Sequence, residues 1–499
     1  MSLRLVLAFL LSVAPAWADR WSEAFEIHRP SVPKEFDPQI GGMDFIDDGR
    51  IALCLHSGQL VIHDPSSDSW SVFAEGLQEP LGLVVENASS MVVMQRSELT
   101  RIRDTDGDGR GDDFQTLCDN FGLSGNYHEY AYGPARDKDG NFYIALNLAS
   151  NGAGIAKEIR GEWHPTGLER KHMELEGKAW DPFRGRAGRM YARVPYRGWV
   201  LKVSKDGQKV QPFASGFRSP DGIGFDADGR LLVTDNQGDW RGTSPLYEVR
   251  EGGFYGHPAS LLWQEGWDRD PLKMPAEELN KLRTPEAAFF PHGELANSPT
   301  QPLAVPEGVF GPFSGQTLIG EMNQRTLIRF LPDPVGDGLQ GTLLPFIQSS
   351  KLGRGNHRLA FAPDGSLWVG KTHLSWAGDK GLARIRLRDK EPFAIESVTQ
   401  VKGGFRLRFS REVDPESIDG TQVERHRYHY YSRYGSPKVD PKKLELGELR
   451  LSGDGRELWI SPKELAEGFV HTLILRSVRS KEGKILLGDV AYYNLLRKR

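Results

Sequence analysis

A degenerate repeat constrains this chain more than any other feature. Six stretches share one order, in which a turn, usually of Asp-Gly type, separates a short apolar strand from another rich in Val, Ile and Leu. They are Gly42 to Ile51, Pro80 to Met94, Tyr132 to Ile144, Ser219 to Thr234, Phe310 to Gly320 and His357 to Gly370. In the clearest copies, around Asp228-Gly229 and Asp364-Gly365, alternating apolar residues flank the turn. The Asp-Gly pair supplies the positive φ values a tight hairpin needs. Further strands follow most copies: Leu99 to Arg103, Trp199 to Val203, Leu327 to Phe330 and Leu382 to Arg386. Four strands per unit make the blade of a propeller. The pattern therefore predicts an all-β chain built on a six-bladed β-propeller. Spacing is uneven, with insertions around residues 150 to 195 and 256 to 305 that are expected to decorate the functional face. Helical periodicity is scarce, and Pro275 to Leu282 is the one short candidate.

Near Arg388-Asp389-Lys390-Glu391-Pro392 the repeat stops. Alternating strands at Phe405 to Phe409, Leu458 to Ile460 and Thr472 to Leu475, with Gly turns between them, predict a C-terminal immunoglobulin-like β-sandwich over residues 389–499. The aromatic-basic run His426 to Tyr434 reads as a strand packed by its aromatics, with a binding surface as the other reading. At the other end, an apolar run from Leu5 to Leu11 precedes Ala16-Trp17-Ala18, the order of a secretory signal over residues 1–18. The propeller then occupies residues 19–388, and the protein is expected to be exported, periplasmic or secreted, with no transmembrane span. Lys plus Arg number 63 against 67 Asp plus Glu, so charge offers no case for nucleic acid or an anionic membrane as partner. The two cysteines, Cys54 and Cys118, sit in apolar stretches and read as buried thiols, with a disulfide between neighbouring blades as the alternative.

Four constellations carry possible chemistry. Asp104, Asp106, Asp108 and Asp112, with Gly109 at the sixth position, match the first nine positions of an EF-hand-type calcium loop. Gln115 stands at position twelve where a bidentate Glu is usual, so a structural calcium clasp of reduced affinity is expected; an acidic solvated turn is the plainer reading. His128 lies just before an inner strand, where strand ends line a propeller's mouth and an imidazole can act as a base; a lone histidine also commonly serves structure. Arg218, in Gly216 to Gly222, occupies the corresponding place farther along and can clamp an oxygen by its forked donors, or form a salt bridge between blades. Arg354 and Arg358, around His357, precede the sixth copy in the same manner and add positive charge to the same mouth.

The order His128, Gly133-Pro134, Asp139-Gly140, Arg218-Ser219-Pro220-Asp221-Gly222, Asp228-Gly229-Arg230, Gln237-Gly238 and Gly252 to Pro258 resembles the soluble quinoprotein glucose and sorbosone dehydrogenases. These are six-bladed propellers that use pyrroloquinoline quinone (PQQ) and calcium. The chain looks closer still to exported "membrane-bound dehydrogenase" relatives with an appended immunoglobulin-like domain. The resemblance implies that His128 takes a proton from a sugar or alcohol hydroxyl while a hydride passes to the quinone, and that Arg218 stabilises the developing charge. It also implies cofactor contacts from Ser219, Gly238, Asp239, Asn323, Arg354 and Arg358, with Gly238 and Asp239 supplying oxygens to calcium. The sequence departs from the family at Ser219, where Asn is usual, at Asp239, where Pro is usual, and at Asn323, where Lys is usual. A sugar or alcohol dehydrogenase passing electrons to a separate acceptor is the leading expectation. A non-catalytic propeller that binds a glycan or a protein, and a calcium-dependent lactonase, are the alternatives, since fold does not choose among them.

Overall fold

The computed structural model describes residues 20–150, 154–164, 190–373 and 378–499. The chain is mostly strand, and among the described residues its α-helices are the short Arg20–Ala24 and Ala276–Leu282. The second of these is the helix expected from the sequence.

Six sheets each begin with a strand near a common axis: Ile40–Phe45, Leu83–Asn87, Ala131–Arg136, Gly222–Phe225, Pro299–Ala304 and Asn356–Phe361. Each of these strands packs on the next, and the last packs on the first, so the sheets close into a ring. Glycine makes the close approach possible. A Cβ at Gly82 would collide with the carbonyl of Gly133 on the next strand, and one at Gly222 with the carbonyl of Thr300. Successive strands within each sheet are antiparallel neighbours, as in Ile40–Phe45, Ile51–Leu55, Gln59–Asp64 and Ser69–Ala74. The sixth sheet takes its outer strand from the other end of the ring: Phe25–His28 pairs with Gly381–Leu387, Phe25 opposite Leu387. This pairing latches the two ends of the ring together.

The fifth unit differs from the sequence reading. The repeat at Phe310 to Gly320 holds a 3-10 turn and the second strand, Thr317–Glu321, whereas the inner strand is Pro299–Ala304, which contains no Asp-Gly turn and two prolines. The outer strand of this unit, Gly338–Gln348, is also shared. It pairs with Val490–Leu495, which extends the sheet through Phe469–Ile474 and Gln422–Arg427 to Val439–Leu444. Facing this extension lies a second sheet of Ile395–Val401, Gly404–Phe409, Glu457–Pro462 and Leu446–Leu451. Strict alternation builds the layer between them. In Gly404–Phe409, Phe405, Leu407 and Phe409 are buried while Arg408 is exposed, and they pack with Leu458, Ile460, Val423, Leu473 and Tyr493.

Three other expectations meet the structure here. Cys54 and Cys118 are both free and buried, so the disulfide alternative does not hold. The strand expected over His426 to Tyr434 ends at Arg427, and the aromatics beyond it project into a hairpin that reaches the ring. The signal at residues 1–18 and part of the insertion at 150 to 195 lie outside the described residues. No helix among the described residues is long and apolar enough to cross a membrane.

Candidate active site

One end of the ring opens into a cavity of ≈ 610 Å³. Its wall brings together His128, Arg218, Ser219, Gln237 and Asn323, residues far apart along the chain. The loops that carry them are set by buried carboxylates and amides. Asp235, fully buried, accepts the backbone N–H groups of Arg218 (2.8 Å), Ser219 (2.7 Å) and Asn236 (2.8 Å), and pairs with Arg241 Nε at 3.0 Å. One carboxylate thus fixes the turn that presents Arg218 and the one that presents Asn236.

The Arg218 guanidinium is fixed from below. Its Nε donates to Asp239 Oδ1 at 2.8 Å, and the backbone of Gly238 lies so close that a Cβ there would collide with the guanidinium. The other oxygen of Asp239 takes His257 Nε2 at 3.1 Å and the Met190 N–H at 3.0 Å. His257 Nδ1 accepts from the Ala259 N–H, so Nε2 is the protonated nitrogen. Burial alone would raise the Asp239 carboxyl, but the hydrogen bond from His257 and the charge of Arg218 outweigh it and hold the group far below the usual carboxylate range.

His128 is half-buried on the opposite strand-entry loop. Its backbone N–H donates to Asn126 Oδ1 at 3.1 Å, and the Asn126 amide is locked to Ser150 by bonds of 2.9 and 3.0 Å. The ring Nδ1 lies 2.9 Å from the carbonyl of Leu148. A carbonyl only accepts, so Nδ1 carries the proton and Nε2 keeps its lone pair. Burial, and next the positive charge of Arg218, push the pKa of His128 down to about 4. The imidazole is therefore neutral at pH 7, a base beside a guanidinium.

Hydroxyl- and amide-bearing side chains complete the wall, among them Ser150, Asn236, Asn297 and Ser298. Ser219 Oγ accepts from Asn147 Nδ2 at 3.1 Å, and Ser298 Oγ donates to Asn236 Oδ1 at 3.0 Å. Tyr127, Tyr130, Tyr132 and Tyr434 add aromatic faces.

Other residues singled out in the sequence lie elsewhere. Gly238 and Asp239 sit behind the wall, with both Asp239 oxygens engaged. Arg354 is exposed in an adjoining bay of ≈ 320 Å³ that shares Asn323 with the cavity. Arg358 turns into the axial channel, where its donors bind the carbonyls of Gly41 (2.9 Å), Leu81 (2.8 Å) and Asp221 (3.3 Å) and tie inner strands together. Asp104, Asp106 and Asp108 lie on the hairpin after Leu99–Arg103, outside the cavity, with carboxylate oxygens within 4.8 Å of one another. Asp112 turns instead to the N–H (2.9 Å) and hydroxyl (2.7 Å) of Thr105.

Sequence reasoning assigned no role to Asp235, His257 or Tyr434. His257 stands inside the Gly252 to Pro258 run that carries the resemblance, and Asp235 lies two residues before Gln237-Gly238, so a signal was at or near both. Tyr434 was reached only as the end of the run His426 to Tyr434, read first as a packed strand and otherwise as a binding surface, because nothing local connects it to residues 218 or 128.

A family model described as a domain of unknown function (DUF7133) matches residues 49–194. No curated protein matches the chain in sequence. Among solved structures, the chain is similar to the PQQ-bound aldose sugar dehydrogenase of Streptomyces coelicolor, with 13% identity and a TM-score of 0.47 over 73% of this chain and 99% of that one. It is similar to the apo-form soluble aldose sugar dehydrogenase of Escherichia coli, with 13% identity and a TM-score of 0.46 over 73% and 100%. It is also similar to the PQQ domain of pyranose dehydrogenase from Coprinopsis cinerea, with 11% identity and a TM-score of 0.45 over 72% and 97%.

Proposed function

We propose that residues 19–388 form a six-bladed propeller behind an export signal, that residues 389–499 form an immunoglobulin-like sandwich, and that the cavity is the active site of a sugar or alcohol dehydrogenase. The observation that carries this reading is the neutral His128, its Nε2 lone pair free, on one wall with Arg218. A hydroxyl bound between them loses its proton to Nε2, and the guanidinium stabilises the alkoxide that forms. Oxidation of that alkoxide to a carbonyl releases the carbon's hydride, so turnover requires a diffusible two-electron acceptor of the quinone or dye class to enter with the substrate and take it. The amides and hydroxyls around the wall suit a substrate with several hydroxyl groups.

Pyrroloquinoline quinone with calcium, the acceptor implied by resemblance, is not matched by these side chains. Its three carboxylates call for several cations, yet Arg218 is the one Arg or Lys on the described wall, and Asp221 adds a carboxyl. The donors of Arg358 are spent on carbonyls, and Arg354 lies in the next bay. The Asp239 oxygens that would hold calcium are occupied by Arg218, His257 and Met190. Calcium fits better at Asp104, Asp106 and Asp108, as a structural clasp on the second sheet.

The test is reduction of a dye by purified protein across a panel of sugars and alcohols, with and without added quinone and calcium. Turnover that His128→Ala lowers by about 100-fold or more, with an unchanged melt, supports the reading. Absence of turnover under every condition removes it. The engaged oxygens of Asp239 favour a second reading, a cavity that binds a glycan without oxidising it, in which saturable binding survives His128→Ala.

A further inference from the structure

We infer that the bay beside the cavity is an anion subsite, in which Arg325 and Arg354 receive the carboxylate or sulfate of an acidic saccharide whose neighbouring ring lies between His128 and Arg218. The inference deepens the reading above by naming a substrate class. It rests on that reading for the saccharide, though not for the anion.

The bay adjoins the cavity at Asn323, which lines both. Its walls are the turn after Thr317–Glu321 and the loop before Asn356–Phe361, and each wall carries one of the two arginines. Hydrogen bonds tie the walls together. The Ser349 N–H donates to the Arg325 carbonyl (3.0 Å) and the Gly355 N–H to the Met322 carbonyl (2.7 Å). The buried Asn356 amide donates to the carbonyls of Thr326 and Gly353, at 3.2 Å each. Glu321, also buried, accepts the N–H groups of Asn297 (2.8 Å), Ser298 (2.9 Å) and Gln324, which fixes the turn from inside. Both arginines therefore stand on backbone that is held in place.

The positive charge of the bay is uncompensated. Arg325 and Arg354 are exposed, and neither guanidinium has a hydrogen bond or an ion pair among the described residues. The carboxylate on the bay's wall, Glu294, is already engaged, by Lys438 Nζ at 2.5 Å and by the Tyr492 hydroxyl at 3.4 Å. A third cation is buried under the Arg354 loop. Lys371 Nζ donates to the Arg354 carbonyl (3.0 Å) and to Asn356 Oδ1 (2.5 Å), and it makes no ion pair among the described residues. Burial, and next the charge of Arg29, bring its pKa down to about 7. A desolvated ammonium without a counter-ion is costly, and an anion held in the bay lowers that cost. Gln348, Ser349 and Ser350 line the same concavity and bring amide and hydroxyl donors. Forked guanidiniums with such donors match the oxygens of a carboxylate or a sulfate. Because the bay includes neither His128 nor Arg218, the charge belongs on the ring next to the reacting one.

Calorimetry on the full chain tests this with matched disaccharides: digalacturonate against its neutral dimethyl ester, and neocarrabiose sulfate against neocarrabiose. At low salt an acidic probe is expected to bind at least about tenfold more tightly than its neutral match, and the gap should shrink at about 300 mM salt. Arg325→Gln combined with Arg354→Gln should remove most of the gap while the neutral probe's Kd stays within about twofold. Arg354→Lys, which keeps the charge, should retain more of the gap than Arg354→Gln. A preference within one pair alone supports the inference and names the anionic group. Equal affinity for acidic and neutral probes, a gap that survives the double variant, or wild-type protein that binds neither acidic probe overturns it. Arginine-dependent binding of an acidic probe without dye reduction under any condition leaves this subsite standing and removes the dehydrogenase. Dye reduction on neutral sugars by protein that shows no acidic preference does the reverse.

Discussion

Two acidic clusters in this protein stand at opposite extremes. Asp104, Asp106 and Asp108 lie together on a hairpin, largely in solvent, and each accepts an N–H group from its own loop: Gly107 to Asp104 at 2.7 Å, Asp108 to Asp106 at 3.2 Å and Arg110 to Asp108 at 2.8 Å. Asp235 and Asp239 are fully buried, and each binds an arginine and groups from other segments of the chain. The exposed cluster is conspicuous in sequence because its residues are consecutive in a known spacing. The buried pair is the one that shapes the cavity, because an unpaired carboxylate in a dry interior is costly and each partner must therefore be placed by the fold.

This contrast can be broken most sharply at Asp239. Asp239→Asn leaves Arg218 buried beside a neutral amide, and a loss of about 3–5 kcal/mol in unfolding free energy is expected in urea titration. A loss below about 1 kcal/mol would put the buried pair on a par with the exposed cluster.

Acid titration gives the next largest effect. Burial, followed by Arg218, depresses His128 from 6.5 to about 4, and burial also lowers His257 and His357. A histidine whose folded pKa is depressed binds fewer protons folded than unfolded between the two values. Its neutral form therefore supports the fold fully above about pH 6.5, and that support is lost as pH falls toward 4. The melting temperature should fall through this window. If the protein turns over substrate, the acid limb of its rate should lie near pH 4, where His128 becomes protonated, and should move upward in Arg218→Gln. An acid limb at 6.5 that ignores Arg218 would detach His128 from the reaction.

Calcium sharpens the contrast from the other side. Adding it to chelator-treated protein should raise the melting temperature by about 2 °C, on the order of 1 kcal/mol. Asp106→Asn should abolish that increment. The smallest expected effect is that of the same substitution in chelator, within about 0.5 kcal/mol of wild type, because solvent already serves its carboxylate. A calcium response that survives Asp106→Asn would place the ion elsewhere.

Much of the architecture was legible along the chain. The turns at Asp228-Gly229 and Asp364-Gly365 join Gly222–Phe225 to Leu231–Thr234 and Asn356–Phe361 to Leu367–Lys371, as their alternation implied. Pro299–Ala304 escaped notice because its polar, proline-bearing sequence is held as an inner strand by neighbours on both sides, not by a hairpin of its own kind. At the site, His128, Arg218 and Gln237 were visible because they sit where strands enter the ring, a position that repeats with the blade. Arg358 occupies a similar place in sequence, yet it turns into the axis to satisfy three carbonyls.

Local pattern by itself determined most of the strands and turns and the loops that feed the mouth, since these depend on residues two to ten positions apart. Only the tertiary structure decided which charges neutralise one another and which aromatics complete the wall. Asp239 meets Arg218 across 21 positions, Arg218 meets Tyr434 across more than two hundred, and Gly338–Gln348 meets Val490–Leu495 by joining the ring to the appended sheet. The physical reason is that pairing energy depends on distance in space and on burial, and neither is encoded by proximity along the polypeptide.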